Sequence, residues 1–267
     1  QRLVEEYDTS VSTVDKEFVK SVLAKVKSEA PADSYGLILS SHGGGWVPSD
    51  LYDVYLLGEG TRSEEPHIQP LFYAQDDYDC MEMGDLVEAL SETHYNYIIF
   101  DACFMGNIEA LYDLRNSADY IVASAAEVLG AGFPYETMIP MLFEYDDHNL
   151  KVICEEYMEF YKNSSGTVAL IDCEQLEPLA KAMKGVMAEM GTVDVDDVQT
   201  YDAFEYHLFF DLMHYVELGV ENCTAFKEAL NEAVLYSGYT SYIETATGKD
   251  VETYTLDRSC GLSCYIP

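Results

Sequence analysis

The sequence predicts an α/β fold built on a mostly parallel sheet that is flanked by helices. The first observation is an apolar run over residues 97–100, which indicates a buried strand and is followed near Asn107 by a helical pattern. The second is an apolar run over residues 37–39 that ends in a glycine-rich turn. The third is the alternation of strand and helix patterns, because such units place parallel strands side by side through right-handed crossovers.

The spacing of apolar residues predicts the helices and strands in the first part of the chain. Apolar residues at helical spacing predict a helix over residues 14–27, with Thr13 as its N-terminal cap. Further along, the pattern indicates a strand or hairpin arm over residues 51–60, a short strand over residues 71–74, a helix over residues 83–94 and a strand over residues 119–124.

Beyond Pro140 the pattern is mostly helical. Helices are predicted over residues 150–161, 176–190, 196–218 and 225–236, and strands over residues 167–171, 239–243 and 262–266. His207 and His214 are seven residues apart and would share one face of the third of these helices. Nothing near them completes a set of metal ligands, so we interpret both as half-buried structural histidines.

The charge balance narrows the classes of partner. The chain has 49 acidic and 14 basic residues, which give a formal net charge of −35. Because such a surface repels phosphates, we expect no nucleic-acid partner. The same charge would steer cationic substrates toward the protein, although excess carboxylates can also serve only to solvate a surface. No apolar run approaches the length of a transmembrane segment, so we expect no membrane span.

Seven cysteines are scattered along the chain, with neither a CxxC pair nor a disulfide-dense framework. Because the number is odd, at least one thiol must be free or pair with another chain. Cys260 and Cys264 would share a face if both lay on one strand, but no second pair of ligands accompanies them. The residue pattern therefore predicts no metal site.

Cys103 and His42 follow the two apolar runs described first. If these strands are parallel neighbours, both side chains emerge at one edge of the sheet, where open α/β sheets bind their ligands. An imidazole beside a thiol is the pair that nucleophilic cysteine catalysis needs, and a helix N-terminus after Cys103 could lower the thiol pKa. Gly43 and Cys103 could then supply backbone N–H groups to an oxyanion. The alternatives are a buried core cysteine and a solvated histidine after a flexible turn.

These residues carry a resemblance to a known family. Residues 41–46 read Ser-His-Gly-Gly-Gly-Trp and residues 100–106 read Phe-Asp-Ala-Cys-Phe-Met-Gly, and together they resemble the clostripain family of cysteine peptidases. Later segments agree, with Gly-Ala-Gly-Phe-Pro-Tyr at residues 130–135 and Gly-Leu-Ser-Cys-Tyr-Ile-Pro at residues 261–267. The resemblance covers most of the chain. It implies a caspase-like fold and cleavage of protein or peptide substrates after basic residues, with arginine preferred and lysine accepted.

Asp101 stands two residues before Cys103 and points to the same side of the strand, because side chains alternate. Its carboxylate suits a substrate guanidinium, and the resemblance places the corresponding aspartate at the floor of the pocket for the residue before the cut. The alternative is a structural role in which Asp101 accepts backbone hydrogen bonds. Relatives often carry an acidic residue where this chain has Ala131, which weakens the implied arginine preference. Glu127, four residues earlier, is the candidate that could compensate.

Arg62 is the only lysine or arginine between His42 and Cys103, and it lies in a polar, glycine-containing stretch over residues 58–66. Members of the family commonly process themselves between these two catalytic residues. The resemblance therefore implies autocleavage after Arg62, and an ordinary surface arginine is the alternative.

The resemblance also bears on the surroundings of the protein. It implies a bacterial protein that is secreted or held at the cell surface, although the chain starts at Gln1 without a signal sequence. The family's first strand is missing from the pattern, so we expect that a separate N-terminal chain or propeptide supplies it or that the sequence begins part-way through the domain. No cofactor is required, but calcium dependence occurs in the family. Neither residues 76–79 nor residues 194–197 fit the calcium-loop pattern, so calcium is left open without ligands.

We expect a single caspase-like peptidase domain over residues 1–267. Within it, residues 1–145 would form the catalytic half, and residues 146–267 would form a helical half that completes the sheet and adds small accessory strands. Three hypotheses remain open. The protein is an active cysteine endopeptidase with a Cys103–His42 dyad, or an inactive or differently specific homologue, as Ala131 suggests, or an acidic binding module on the same scaffold.

Overall fold

The computed structural model describes residues 3, 5–8, 10–48, 71–76, 79–143, 147–204, 206–245 and 252–267. Five strands form the central sheet, in the spatial order β1 (Gly36–Ser40), β5 (Tyr95–Asp101), β6 (Ala118–Ala123), β7 (Thr167–Asp172) and β9 (Val234–Tyr239). The pairs β1–β5 and β5–β6 are parallel, whereas β7 is antiparallel to both of its neighbours. All of these strands except β7 therefore point the same way, which confirms the predicted mostly parallel sheet.

Helices flank this sheet in chain order. They are α1 (Lys16–Glu29), α2 (Met83–Leu90), α3 (Ile108–Leu114), α4 (Tyr135–Phe143), α5 (Asp147–Tyr161), α6 (Leu176–Met187), α7 (Leu212–Gly219) and α8 (Thr224–Ala233). Among these described helices, none combines the length and the apolar character that crossing a bilayer requires.

Three smaller sheets surround the central one. The antiparallel strands β2 (Gly43–Pro48), β3 (Leu71–Asp76) and β4 (Asp79–Glu82) form the first. The hairpin of β10 (Tyr242–Thr245) and β11 (Glu252–Thr255) is the second, and the pair of β8 (Phe210–Asp211) and β12 (Ser263–Cys264) is the third. In chain order, the first of these sheets follows β1, and the hairpin follows β9.

The two faces of the central sheet have separate apolar cores. Ile98 and Phe100 of β5 pack into the larger core, with apolar residues of α2, α3, α6 and α8. Ile99 lies between them in sequence and packs into the other core, with apolar residues of α4 and α5. Because neighbouring residues on a strand face opposite ways, this alternation buries β5 on both faces.

The N-terminal helix begins later than its sequence pattern predicts. The residue that caps α1 is Asp15, whose carboxylate accepts a hydrogen bond from the backbone N–H of Phe18 at 2.8 Å. Thr13, the predicted cap, instead donates its hydroxyl to Asp76 of β3 at 2.8 Å. The local pattern assigns the Thr13 side chain to the helix cap, but in the fold it bonds a tertiary partner, Asp76, instead.

The prediction of a helix over residues 196–218 is wrong. A short 3₁₀ turn over Val195–Asp197 is followed by irregular chain and by β8, and only α7 is helical. His207 accordingly does not share a helix face with His214. His207 pairs with the buried Asp202 at 2.9 Å, and the ring of His214 accepts the backbone N–H of Gln199 at 2.9 Å. The two histidines do line one cleft of about 400 Å³, because tertiary folding brings them together.

Several predicted boundaries near the C-terminus are also wrong. The helix predicted over residues 225–236 ends at Ala233, and the chain then forms the edge strand β9 against β7. The predicted strand over residues 262–266 is reduced to β12, and Cys260 lies outside this strand, so the two cysteines do not share a strand face. The predicted strand over residues 51–60 and the stretch over residues 58–66 lie outside the described residues.

Candidate active site

The parallel register of β1 and β5 places His42 and Cys103 at one edge of the sheet. Ser40 pairs with Asp101 at the end of this ladder, and the backbone N–H of Ser41 donates to the carbonyl of Asp101 at 3.3 Å. His42 and Cys103 each stand two residues beyond that last pair. The neighbouring parallel strands that the sequence predicts are therefore present, with His42 exposed and Cys103 half-buried.

The glycine-rich turn after β1 lies directly against the Cys103 segment. A Cβ added to Gly43 would sit 2.4 Å from the carbonyl oxygen of Cys103, so only glycine permits this approach. Gly43 and Cys103, the two residues predicted to donate to an oxyanion, are therefore in close contact. Their role as donors stays a prediction.

The chain turns sharply at the candidate nucleophile. Phe104 adopts a φ of 58°, a left-handed conformation that is uncommon for a residue other than glycine. Its backbone N–H donates to the carbonyl of Ala126 at 3.0 Å, and its ring stacks on Phe209 with the centroids 4.3 Å apart. Because backbone strain of this kind persists only where packing holds it, the turn that presents Cys103 is fixed from two sides.

The Cys103 thiol contacts the segment that follows β6. The backbone N–H of Val128 donates to Sγ at 3.3 Å, and the thiol in turn faces the carbonyl of Val128 at 3.7 Å. Within the described part of the chain, no hydrogen bond joins Sγ to the ring of His42. In the spatial order of the sheet, Val128 follows β6 and His42 follows β1, so these two residues follow strands on opposite sides of β5.

The ionisation of Cys103 differs from the sequence-based expectation. Burial raises the pKa of the thiol to about 12, and the carboxylates of Glu127 and Asp101 add to the rise, while the N–H of Val128 opposes it. Helix α3 starts only at Ile108, which is five residues beyond Cys103 and follows the cap Asn107. The expectation that a helix N-terminus would favour the thiolate is wrong for this arrangement.

Asp101 is buried, with 8% of the residue exposed. The hydroxyl of Tyr135 donates to its Oδ2 at 2.5 Å, and the hydroxyl of Ser40 lies at 3.4 Å from the same atom. A Cβ on Gly132 would lie 2.5 Å from Oδ2, so the main chain at Gly132 lies against the carboxylate. Asp101 thus lies beside Cys103 with hydroxyl partners, and its contact with a substrate stays a prediction.

The other two predicted substrate-binding residues, Glu127 and Ala131, differ in their exposure. Glu127 is buried next to Val128, with 9% exposed, and the hydroxyl of Thr245 in β10 donates to its carboxylate. Ala131 is exposed. The predicted autocleavage residue, Arg62, lies outside the described residues.

Sequence reasoning missed the partners that hold this site. Tyr135 and Val128 contact the carboxylate and the sulfur, yet neither was a candidate, because their roles depend on contacts across the sheet. Tyr135 ends the Gly-Ala-Gly-Phe-Pro-Tyr segment that carries the family resemblance. Its place in that motif is the sequence signal that could have identified it as a site residue. Trp46 was recognised only as part of a motif; its indole N–H donates to the carbonyl of Leu208 at 2.9 Å.

The acidic turns do not form a metal site in the part of the chain that is described. Asp76 accepts the backbone N–H and the hydroxyl of Thr13, and Asp194 accepts the backbone N–H of Asp196. No cluster of at least three His, Cys, Asp or Glu side chains suited to a metal occurs among the described residues. Asp76 is thus a tertiary partner of Thr13 and Asp194 a local cap, and calcium dependence stays a prediction without assigned ligands.

Comparisons with known proteins agree with this arrangement. The sequence profile of the Clostripain family matches residues 1–259. Clostripain of Hathewaya histolytica is 31% identical over 135 residues, which cover 46% of this chain and 23% of that protein. The chain therefore spans about a quarter of the length of this curated relative.

Two solved structures cover nearly all of the chain. An inactive zymogen of a C11 protease from Parabacteroides distasonis is 30% identical with a TM-score of 0.84, and the match covers 99% of this chain and 73% of that one. A secreted C11 cysteine protease from Bacteroides thetaiotaomicron, in complex with an irreversible peptide inhibitor, is 28% identical with a TM-score of 0.80. This match covers 96% of this chain and 72% of that one. By fold, by site motif and by family match, this chain belongs to the clostripain family of cysteine proteases.

Proposed function

We propose that this chain is a cysteine endopeptidase that cleaves after basic residues, with arginine preferred and lysine accepted. The observation that carries the proposal is the buried carboxylate of Asp101 next to Cys103, held by the hydroxyls of Tyr135 and Ser40. A guanidinium can satisfy such a carboxylate through two parallel hydrogen bonds, whereas an ammonium offers only a point charge. Membership of the clostripain family and the inhibitor complex of the B. thetaiotaomicron protease support peptide cleavage.

The proposed reaction divides the roles between two strand ends. His42 takes the thiol proton of Cys103, and the thiolate attacks the carbonyl carbon of the scissile bond. Backbone N–H groups of Gly43 and Cys103 stabilise the oxyanion of the tetrahedral intermediate. His42 then protonates the leaving amine, an acyl-enzyme remains on Cys103, and water releases the second product. Because Sγ rests on Val128, the thiol rotates toward His42 before attack.

The strength of arginine selection depends on the second carboxylate. Glu127 accepts a hydrogen bond from Thr245 and lies behind Val128, so it acts on a substrate cation by its charge. Ala131 is exposed and adds no charge. We therefore expect lysine substrates to be cleaved at a measurable rate beside arginine substrates.

The proposal also covers the maturation of the enzyme and its cellular location. Autocleavage after Arg62 would follow from the enzyme's own specificity, and a separate N-terminal chain or propeptide would complete the sheet beside β1. The secreted relative from B. thetaiotaomicron supports a secreted or surface-held bacterial protein. N-terminal sequencing of the active protein and of Arg62→Gln tests the cleavage. Full activity of an intact wild-type chain would contradict it.

An inactive or differently specific homologue, acting as an acidic binding module, is the second candidate. The net charge of −35 and the hydrogen bonding of Sγ to Val128 favour it, and one similar structure is described as an inactive zymogen. Under this alternative the site would bind cationic peptides without cutting them.

Fluorogenic peptides that differ only at the residue before the cut separate the two candidates. We expect cleavage with Arg and Lys, none with Asp or Asn, and loss of at least about 10³-fold in Cys103→Ala. Cys223→Ala is the matched control, because this half-buried thiol lies at the start of α8. Equal rates for Cys103→Ala and wild type would exclude the peptidase assignment, and tight binding of Arg peptides without turnover would favour the binding module.

A further inference from the structure

The segment over residues 262–265 is bonded to the loop that leads from the candidate nucleophile into α3. Its first three residues are buried. The backbone N–H of Ser263 donates to the carbonyl of Gly106 at 2.9 Å, and the backbone N–H of Tyr265 donates to the carboxylate of Glu109 at 3.1 Å. These two hydrogen bonds fix the main chain of the segment to the Cys-containing half of the site.

The side chain of Tyr265 contacts the other half of the site. Its ring packs on the indole of Trp46, with the centroids 4.1 Å apart. Trp46 ends the His-Gly-Gly-Gly-Trp motif, four residues after His42. The indole N–H also donates to the carbonyl of Leu208 at 2.9 Å, and the ring of Phe209 lies 6.4 Å away. The indole is therefore held by one hydrogen bond and two aromatic rings.

Strand β2, which carries this tryptophan, lies tightly against the Cys103 turn. A Cβ on Gly43 would lie 2.4 Å from the carbonyl oxygen of Cys103, and one on Gly45 would lie 2.7 Å from the carbonyl oxygen of Phe104. Because the two main chains are already in close contact, a movement of Trp46 shifts β2 along the Cys103 turn. The strand begins one residue after the candidate base, so the base moves with it.

We propose that Tyr265 is a positioning residue, which fixes the placement of His42 relative to Cys103 by packing on Trp46. This inference rests on the proposed function and deepens it. The main chain of Tyr265 is bonded to the Cys103 side of the site and its ring contacts the His42 side, so one residue joins the two. Loss of the ring leaves both members of the dyad in the chain but frees their spacing, and a misplacement of about 1 Å can cost about 10²-fold in rate.

The candidate pocket for the substrate side chain is held by other residues. Asp101 contacts the hydroxyls of Tyr135 and Ser40 and the main chain at Gly132. Binding of an arginine side chain should therefore survive the loss of the Tyr265 ring. The inference thus predicts a loss in kcat with little change in KM, whereas damage to the pocket would raise KM.

Steady-state kinetics on Arg peptides test this split. We expect Tyr265→Leu to lower kcat about 10- to 100-fold and to change KM by less than about twofold. Tyr265→Phe keeps the ring and should stay within about twofold of wild type in both constants. Tyr239→Leu is the matched control, because Tyr239 in β9 is exposed to the same fraction, 41%, and should change neither constant.

Tryptophan fluorescence provides a readout other than activity. Trp46 is the only tryptophan of the chain, so the emission spectrum reports on this contact alone. We expect Tyr265→Leu to shift the emission maximum to longer wavelength, because water reaches the uncovered indole face. Tyr265→Phe and Tyr239→Leu should leave the maximum where it is in wild type.

A double-mutant cycle tests whether the two rings act as a pair. We expect Trp46→Leu to lower kcat by a similar factor, and the double variant with Tyr265→Leu to lose no more than about twofold beyond the weaker single variant. Multiplication of the two losses would show that the residues act separately and would overturn the inference. Tyr265→Met replaces the ring by an apolar chain and carries the same expectations if Tyr265→Leu does not fold.

The outcomes separate the inference from the function on which it rests. If Tyr265→Leu shifts the emission but keeps the wild-type kcat, the inference is overturned and the peptidase assignment stands. An increase in KM as large as the loss in kcat, or failure of Tyr265→Phe to retain activity, would overturn it as well. If wild type cleaves neither Arg nor Lys peptides, or Cys103→Ala cleaves them equally well, the proposed function fails and the inference fails with it.

Discussion

Gly132 offers the sharpest test of how the candidate pocket is held. It has a φ of +64°, and a Cβ at this position would lie 2.5 Å from Oδ2 and 3.0 Å from Oδ1 of Asp101. The substitution Gly132→Ala therefore does two things. It places an L side chain in a left-handed conformation, and it drives a methyl group into the carboxylate that the proposed function assigns to the substrate.

The size of the effect follows from these two terms. A left-handed backbone costs a residue other than glycine about 1–2 kcal/mol, so the free energy of unfolding should fall by about that amount. The carboxylate must also retreat by about 0.5 Å to open the 2.5 Å contact to 3.0 Å, and by about 0.9 Å to reach 3.4 Å. Since a misplacement of about 1 Å can cost about 10²-fold in rate, we expect kcat/KM for Arg peptides to fall about 10- to 100-fold.

Urea unfolding and steady-state kinetics on Arg peptides measure the two quantities separately. Gly130→Ala is the matched control, because a Cβ there would meet nothing within 4 Å and Gly130 has no positive φ. This control should change the free energy of unfolding by less than about 0.5 kcal/mol and leave kcat/KM unchanged. If Gly132→Ala matched the control in both assays, the placement of Asp101 against Gly132 would be refuted.

Three further predictions concern the framework. Asp15→Ala should lower the free energy of unfolding by about 1 kcal/mol in urea titrations, whereas Asp15→Asn should stay within a few tenths, since asparagine also caps helices. Asp211 is fully buried and accepts hydrogen bonds from Tyr201, His214 and Cys260, so Asp211→Ala should cost about 3 kcal/mol or more in the same titrations; a loss below about 1 kcal/mol would contradict its role. The hydrogen bond to Asp202 raises the pKa of His207 above 6.5, so this pair stabilises the fold fully below that pH and the gain is lost as pH rises through the raised value. Melting temperatures over a pH series should show this decline in wild type and less of it in His207→Gln, and equal pH profiles would exclude the pair.

The sequence was most informative where structure depends on local residue order. The apolar runs that became β1 and β5 are short, continuous and bounded by turn residues, and their parallel pairing follows from the alternation of strands and helices. The edge that holds His42 and Cys103 could therefore be predicted, because both residues follow these strands directly. The family motif strengthened that prediction without depending on any distant contact.

Prediction failed where buried polar groups replace a periodic apolar pattern. Residues 198–209 contain enough apolar residues to resemble a helix face, but Asp202 accepts the backbone N–H groups of Phe204, Leu208 and Phe209 and folds this segment upon itself. A carboxylate that satisfies three backbone donors stabilises an irregular path that no periodicity reveals. The corrections at Asp15, where Asp76 binds Thr13, and at β9 have a different cause, since partners distant in sequence decide the local structure there.

The ionisation of Cys103 shows why a motif predicts the participants of a site better than its resting state. The sequence places a helix after the cysteine, and helix N-termini commonly favour thiolates. In the fold, α3 begins five residues beyond Cys103, while Asp101 and Glu127 bring negative charge beside the sulfur from two strands. The sign of the pKa shift is therefore set first by burial and then by charges that become neighbours only after folding.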